Sequence, residues 1–64
     1  MKFKVEIDTD NSAFADMEGG EIARILRGIA GTVEETSGES FADYAVSLFD
    51  VNGNKVGFAL AEET

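Results

Sequence analysis

One stripe of apolar residues does most to limit what this chain can become. Ile22, Ile25, Leu26, Ile29 and Val33 recur at i, i+3, i+4, i+7 and i+11, the spacing of one face of an α-helix. Ala23 and Ala30 flank the stripe, and Glu21, Arg24, Arg27, Gly28, Gly31, Glu34 and Glu35 fall mostly outside it. Before and after this segment the apolar period changes to two, the signature of half-buried strands. A chain with one helix and several strands must bury the helix stripe against a sheet, and a single helix covers only one face of it.

Residues 2–8 alternate cleanly, with Phe3, Val5 and Ile7 on one side and Lys2, Lys4, Glu6 and Asp8 on the other. A charged outer row suits an edge strand, where it discourages aggregation. Thr9-Asp10-Asn11-Ser12 is turn chemistry, with Phe14 and Met17 expected to pack under the connection. The helix is expected to start near Met17 or Glu18. Asp16 is the candidate N-cap, and Glu18 and Glu21 lie at the positive end of the helix dipole. Gly38 is a suitable stop. Gly28 and Gly31 each cost roughly 1 kcal/mol relative to alanine in a helix interior.

Two further strands are expected at 41–50, with Tyr44, Val46 and Leu48 on one face, and at 54–61, with Val56, Phe58 and Leu60 on one face. Asn52-Gly53 between them is a strong hairpin signal. A two-residue loop would set Val56, Phe58 and Leu60 opposite Phe49, Ser47 and Ala45. A three-residue loop pairs Asp50 with Asn54 and sets them opposite Leu48, Val46 and Tyr44. The apolar match favours the second, with Gly53 left-handed in a bulge.

The expected architecture is one α+β domain over residues 1–64, β-α-β-β, with one helix packed on a three-stranded antiparallel sheet of order 1-3-2. A helix of about 18 residues carries the chain back by ~27 Å, so strands one and two run parallel and the apolar third strand fits between them. The expected core is Phe3, Val5, Ile7, Ile22, Ile25, Leu26, Ile29, Val33, Tyr44, Val46, Leu48, Val56, Phe58 and Leu60. The uncovered face then carries Ala45, Ser47, Phe49, Lys55, Gly57, Ala59 and Ala61, with Lys2, Lys4, Glu6 and Asp8 toward the edge.

Composition removes whole classes of chemistry. The 64 residues contain no histidine and no cysteine, so imidazole bases, thiol nucleophiles, disulfides and the usual zinc ligands are excluded. Asp8-Thr9-Asp10-Asn11-Ser12 and Asp50-Val51-Asn52-Gly53-Asn54 resemble calcium loops superficially. Neither has glycine at position six or glutamate at position twelve, and turn chemistry accounts for both. Acid–base catalysis by carboxylates needs a pocket that shifts one of their pKa values, which a domain this small has little room to build. No catalytic, cofactor-binding or metal-binding residue is therefore assigned.

What remains is charge. Thirteen acids against five bases give a net charge of −8. Such a surface repels nucleic acid and anionic membranes directly and favours a partner with a basic surface. The sequence shows neither a continuous apolar leader nor a bilayer-spanning segment, so the expected location is cytoplasmic. The acids gather on connections and helix ends. Glu34, Glu35, Glu39, Asp43 and Asp50 form the first candidate partner-binding set, and Asp8, Asp10, Glu18 and Glu21 the second. Either is a solubilising coat or an imitation of a phosphate backbone.

Three segments carry a resemblance: Lys2–Asn11 with Ala13-Phe14, Ile22-Ala23-Arg24-Ile25-Leu26-Arg27, and Asp50-Val51-Asn52-Gly53-Asn54-Lys55-Val56-Gly57. Together they resemble a group of small phage and prophage proteins. The chain departs from that group at Gly28 and Gly31 and in a longer Glu39–Leu48 segment. The resemblance implies a bacterial host cell as the setting. In class the chain looks like acidic anti-CRISPR inhibitors that act as DNA mimics on a Cascade-type complex. The implied partner is the basic surface of a host nucleic-acid-binding protein, a Cas subunit in the specific case, met by a monomer or weak dimer. The alternative is a structural or self-assembling phage accessory module using its open sheet face, where a change such as Ala59→Arg is expected to disrupt assembly.

Overall fold

The computed structural model describes residues 1–36 and 41–62. The element order is β1 (Lys2–Ile7), a 3-10 turn (Ser12–Phe14), α1 (Glu18–Thr36), a second 3-10 turn (Phe41–Asp43), β2 (Ala45–Phe49) and β3 (Lys55–Glu62). The sheet is antiparallel throughout, in the order β1-β3-β2, so the fold is the expected α+β arrangement. The first helical bond runs from the Glu21 N–H to the Met17 carbonyl, which moves the cap from Asp16 to Met17. Gly38, the expected stop, lies outside the described residues. The second strand is shorter than expected, because Phe41–Asp43 closes a turn in which the Tyr44 N–H bonds the Phe41 carbonyl at 3.0 Å.

The hairpin begins as the three-residue reading expects. The Asp50 N–H donates to the Asn54 carbonyl at 2.9 Å, the Gly53 N–H returns to the Asp50 carbonyl at 3.0 Å, and Gly53 has φ 85°. One step later the register changes. Phe49 pairs with Lys55 but Leu48 pairs with Gly57, so Val56 is the extra residue of a β-bulge. From there Val46 faces Ala59, Ser47 faces Phe58 and Ala45 faces Leu60.

The bulge corrects the expected core. Phe58 and Leu60 lie on the uncovered face, in the row of Lys4, Glu6, Ala45 and Ser47. Gly57, Ala59 and Ala61 take their places beneath the helix, and Ala59 is fully buried. Small residues suit that row because the helix needs room above the central strand. Gly57 has a second constraint, since a Cβ there would collide with the Glu6 carbonyl of β1. Only glycine lets the two backbones approach so closely.

The buried core is Phe14, Ile25, Ile29, Tyr44, Leu48, Val56 and Ala59, with Ile7, Ala13, Ile22, Val33, Phe41, Val46 and Ala61 partly buried around it. Phe14 does pack under the first connection, whereas Met17 is exposed. Phe3, Val5 and Leu26 belong to the core face by period but remain 43%, 38% and 45% exposed. The reason is the position of the helix. Its Ile25, Gly28, Ile29 and Thr32 border a groove against Val46–Phe49 of β2, which places α1 over the β3–β2 side and leaves β1 largely uncovered.

Candidate functional site

Acids stand at the two connections, the helix start and the hairpin, and the structure sorts their carboxylates into two kinds. Asp50 and Glu21 are turned inward, with only 5% and 9% of their surface exposed. A buried carboxylate needs its acceptor capacity filled, and here it is. Asp50 Oδ1 accepts from the Asn52 N–H at 2.9 Å and the Asn54 N–H at 2.8 Å. Its Oδ2 accepts from Asn11 Nδ2 at 2.8 Å and Asn54 Nδ2 at 3.3 Å. The turn therefore closes around one carboxylate, which also ties the hairpin to the first connection.

Glu21 does the same work from the helix. Arg24, three residues on, donates Nε to Oε1 at 2.7 Å and Nη2 to Oε2 at 3.1 Å. The Val51 N–H donates to Oε2 at 2.8 Å, and Arg24 Nη2 also reaches the Phe49 carbonyl at 3.1 Å. The fork geometry of arginine makes a bidentate pair with carboxylate, and the pair anchors the start of α1 to the hairpin.

Both groups are held ionised. The Arg24 bond lowers the Glu21 pKa; burial opposes it, and the Val51 N–H lowers it further. For Asp50, burial pushes the pKa up, but the bonds from the Asn54 backbone and side chain, the Asn52 N–H and Asn11 together outweigh it, so the net shift is downward. A general acid working near neutral pH needs the opposite shift.

The remaining members of the two sets lie on the surface. Glu34, Glu35 and Asp43 are exposed at one end of the molecule, and Asp8, Asp10 and Glu18 are exposed at the other. Glu39 lies outside the described residues. Asp8 Oδ1 accepts from the Asp10 N–H at 3.0 Å and Asn11 Oδ1 from the Ala13 N–H at 2.9 Å, the turn chemistry expected of this segment. Asp8, Asp10, Asn11 and Lys55 line a shallow hollow beside Gly57. Among the described residues, no group of three or more acidic side chains is placed to hold a metal ion, and no helix is long and apolar enough to cross a membrane.

Sequence reasoning missed the inward turn of Asp50 and Glu21, because charged residues are seldom buried unless paired. Two signals were available: the Asp-x-Asn-Gly-Asn run, which offers its own N–H groups to a leading carboxylate, and the i, i+3 spacing of Glu21 and Arg24. It also left Phe58 off the open face, where the Lys4 ammonium stands 5.9 Å from the ring centroid, within range for cation–π attraction.

Comparison with protein-family profiles, with curated proteins and with solved structures gives no match for this chain.

Proposed function

We propose that the protein is a non-enzymatic acidic inhibitor that occupies a basic nucleic-acid-binding surface in place of DNA. In the specific form suggested by its resemblance to phage proteins, it is an anti-CRISPR that blocks DNA or PAM recognition by a Cas subunit. The observation that supports this reading is the placement of Glu34 and Glu35. They lie in the last turns of α1, which carries no basic residue in its final turn. Negative charge there opposes the helix dipole, at a cost of about 0.3–1 kcal/mol for Glu35. A coat selected for solubility alone has no reason to concentrate acids where they weaken the fold. With Asp43 exposed on the following turn, Glu34 and Glu35 are the described surface members of the five-residue set; Asp50 is committed to the hairpin and Glu39 lies outside the described residues.

The test exploits that conflict. The wild-type protein and an E34K/E35K/D43K variant serve as bait in bacterial lysates at low and high salt. The expected result is capture of a nucleic-acid-binding protein by the wild type alone, with release by added salt and by duplex DNA. Capture that survives the triple reversal and high salt would refute the mimic reading. Phe58 and Leu60 on the open sheet face favour the assembly module as a second reading. Ala59→Arg cannot probe it, because Ala59 is buried under the helix; Phe58→Arg can, and loss of self-association on that change alone would support it.

A further inference from the structure

Among the described residues no strand pairs with the outer edge of β1, and its sequence is complementary to itself. The Asp8 N–H bonds inward to the Val56 carbonyl at 2.7 Å. Backbone groups alternate in direction along an antiparallel strand, so Lys2, Lys4, Glu6 and Asp8 bond β3. The N–H and C=O groups of Phe3, Val5 and Ile7 point outward, away from the sheet. A second strand can only dock in a register that pairs odd residues with odd residues.

Three such registers keep β1 overlapped with an antiparallel copy of itself. Centred on Lys4 it sets Lys4 against Lys4, and centred on Glu6 it sets Glu6 against Glu6. Like charges directly opposite are destabilising. Centred on Val5, it pairs Lys4 with Glu6 and Lys2 with Asp8, each twice by symmetry. On the other face the same register pairs Val5 with Val5 and Phe3 with Ile7. Every charged residue of the outer row then meets its opposite, and the half-exposed Phe3 and Val5 are covered by apolar partners.

From this charge complementarity we infer that the β1 edge is a docking site for a second copy of this chain, joined about a two-fold axis at Val5. The axis is perpendicular to the sheet, so the product is a continuous six-stranded sheet with both helices on one face. Leu26 fits this arrangement. At about 100° per residue it points well away from Gly28 and Thr32, which face β2, and so toward the β1 flank. Leu26, Phe3 and Val5 are all half-exposed, and this register covers Phe3 and Val5. This inference is independent of the proposed target, since it uses the face opposite the β2 groove and none of Glu34, Glu35 or Asp43.

Each protomer carries −8, and their mutual repulsion keeps association weak at low salt. The experiment is therefore run near 0.15 M salt, where the screening length is about 8 Å. Sedimentation equilibrium on the wild type is expected to show a concentration-dependent dimer. Lys4→Glu turns two attractive pairs repulsive and is expected to weaken dimerisation about tenfold or more. K4E/E6K exchanges the charges and is expected to restore it. Both positions are exposed, and circular dichroism checks that each variant folds. Because the chain has no cysteine, single Val5→Cys, Lys4→Cys and Glu6→Cys variants report register by oxidation, with cross-linking expected fastest at Val5. A wild type that stays monomeric at millimolar concentration overturns the inference. So does failure of the double exchange to restore the dimer, or fastest cross-linking at position 4 or 6.

Discussion

The two ends of this sheet are fastened by different chemistry. At the hairpin end, Asp50, Glu21, Arg24, Asn11 and Asn54 form a buried polar network that joins the turn, the first connection and the start of α1. At the opposite end the fastening is aromatic. Phe3, Phe41 and Tyr44 lie with ring centroids 5.6–5.8 Å apart. The Thr32 hydroxyl donates to the Ile29 carbonyl at 3.0 Å and accepts from the Tyr44 hydroxyl at 2.6 Å. A polar network demands full satisfaction and fixes geometry tightly, whereas stacked rings tolerate small displacements. The difference implies that the turn end is specified and the aromatic end is adaptable, and the adaptable end is the one carrying Glu34, Glu35 and Asp43.

Gly57→Val tests the specified end most severely. The added side chain meets the Glu6 carbonyl, so β1 must separate from β3. The expected loss is about 3 kcal/mol or more, read by urea unfolding. Acid is the next lever. Glu21 and Asp50 have lowered pKa values in the folded state, so their contribution is present above the ordinary carboxylate range and is lost as pH falls through the folded values. Asp50→Asn is expected to be less stable than the wild type at neutral pH and to lose less stability between pH 5 and pH 2. Equal acid sensitivity of the two proteins would show that the network is not what holds that end.

At the aromatic end, Tyr44→Phe removes one hydrogen bond while keeping the ring. It is expected to cost about 0.5–1.5 kcal/mol by an amount that does not vary across the same acid range. Glu35→Lys is expected to stabilise the fold by about 0.3–1 kcal/mol, while weakening partner binding. If it instead destabilises the helix in thermal unfolding, the argument for a functional placement of that acid fails.

The periodic segments were legible. The stripe from Ile22 to Val33 gave the helix, the alternation of residues 2–8 gave an edge strand, and chain return along the helix together with the apolar character of the third strand gave the order β1-β3-β2. What could not be read was decided by contacts between backbones. The hairpin loop follows from Asn52-Gly53, but the bulge at Val56 depends on how closely Gly57 approaches Glu6, and no hydropathy pattern records that distance. For the candidate site, the exposed acids were identified by charge alone. The inward turn of Asp50 and Glu21 required knowing that Asn11 and Val51, distant in sequence, would supply donors.

The bulge also acts as a shift of reading frame. Up to Lys55 the hairpin follows one pairing, and one unpaired residue later every side chain of β3 exchanges inside for outside. The strand thus carries two self-consistent meanings: large residues under the helix if the bulge is removed, small ones if it is kept. Deleting Val56 would keep Gly57 opposite Leu48 and the alanines beneath the helix, whereas flattening the bulge with Val56 retained would turn Phe58 and Leu60 under the helix. Which row of β3 meets the helix is thus set by whether one residue pairs or stands out of the ladder, with no change in composition or charge.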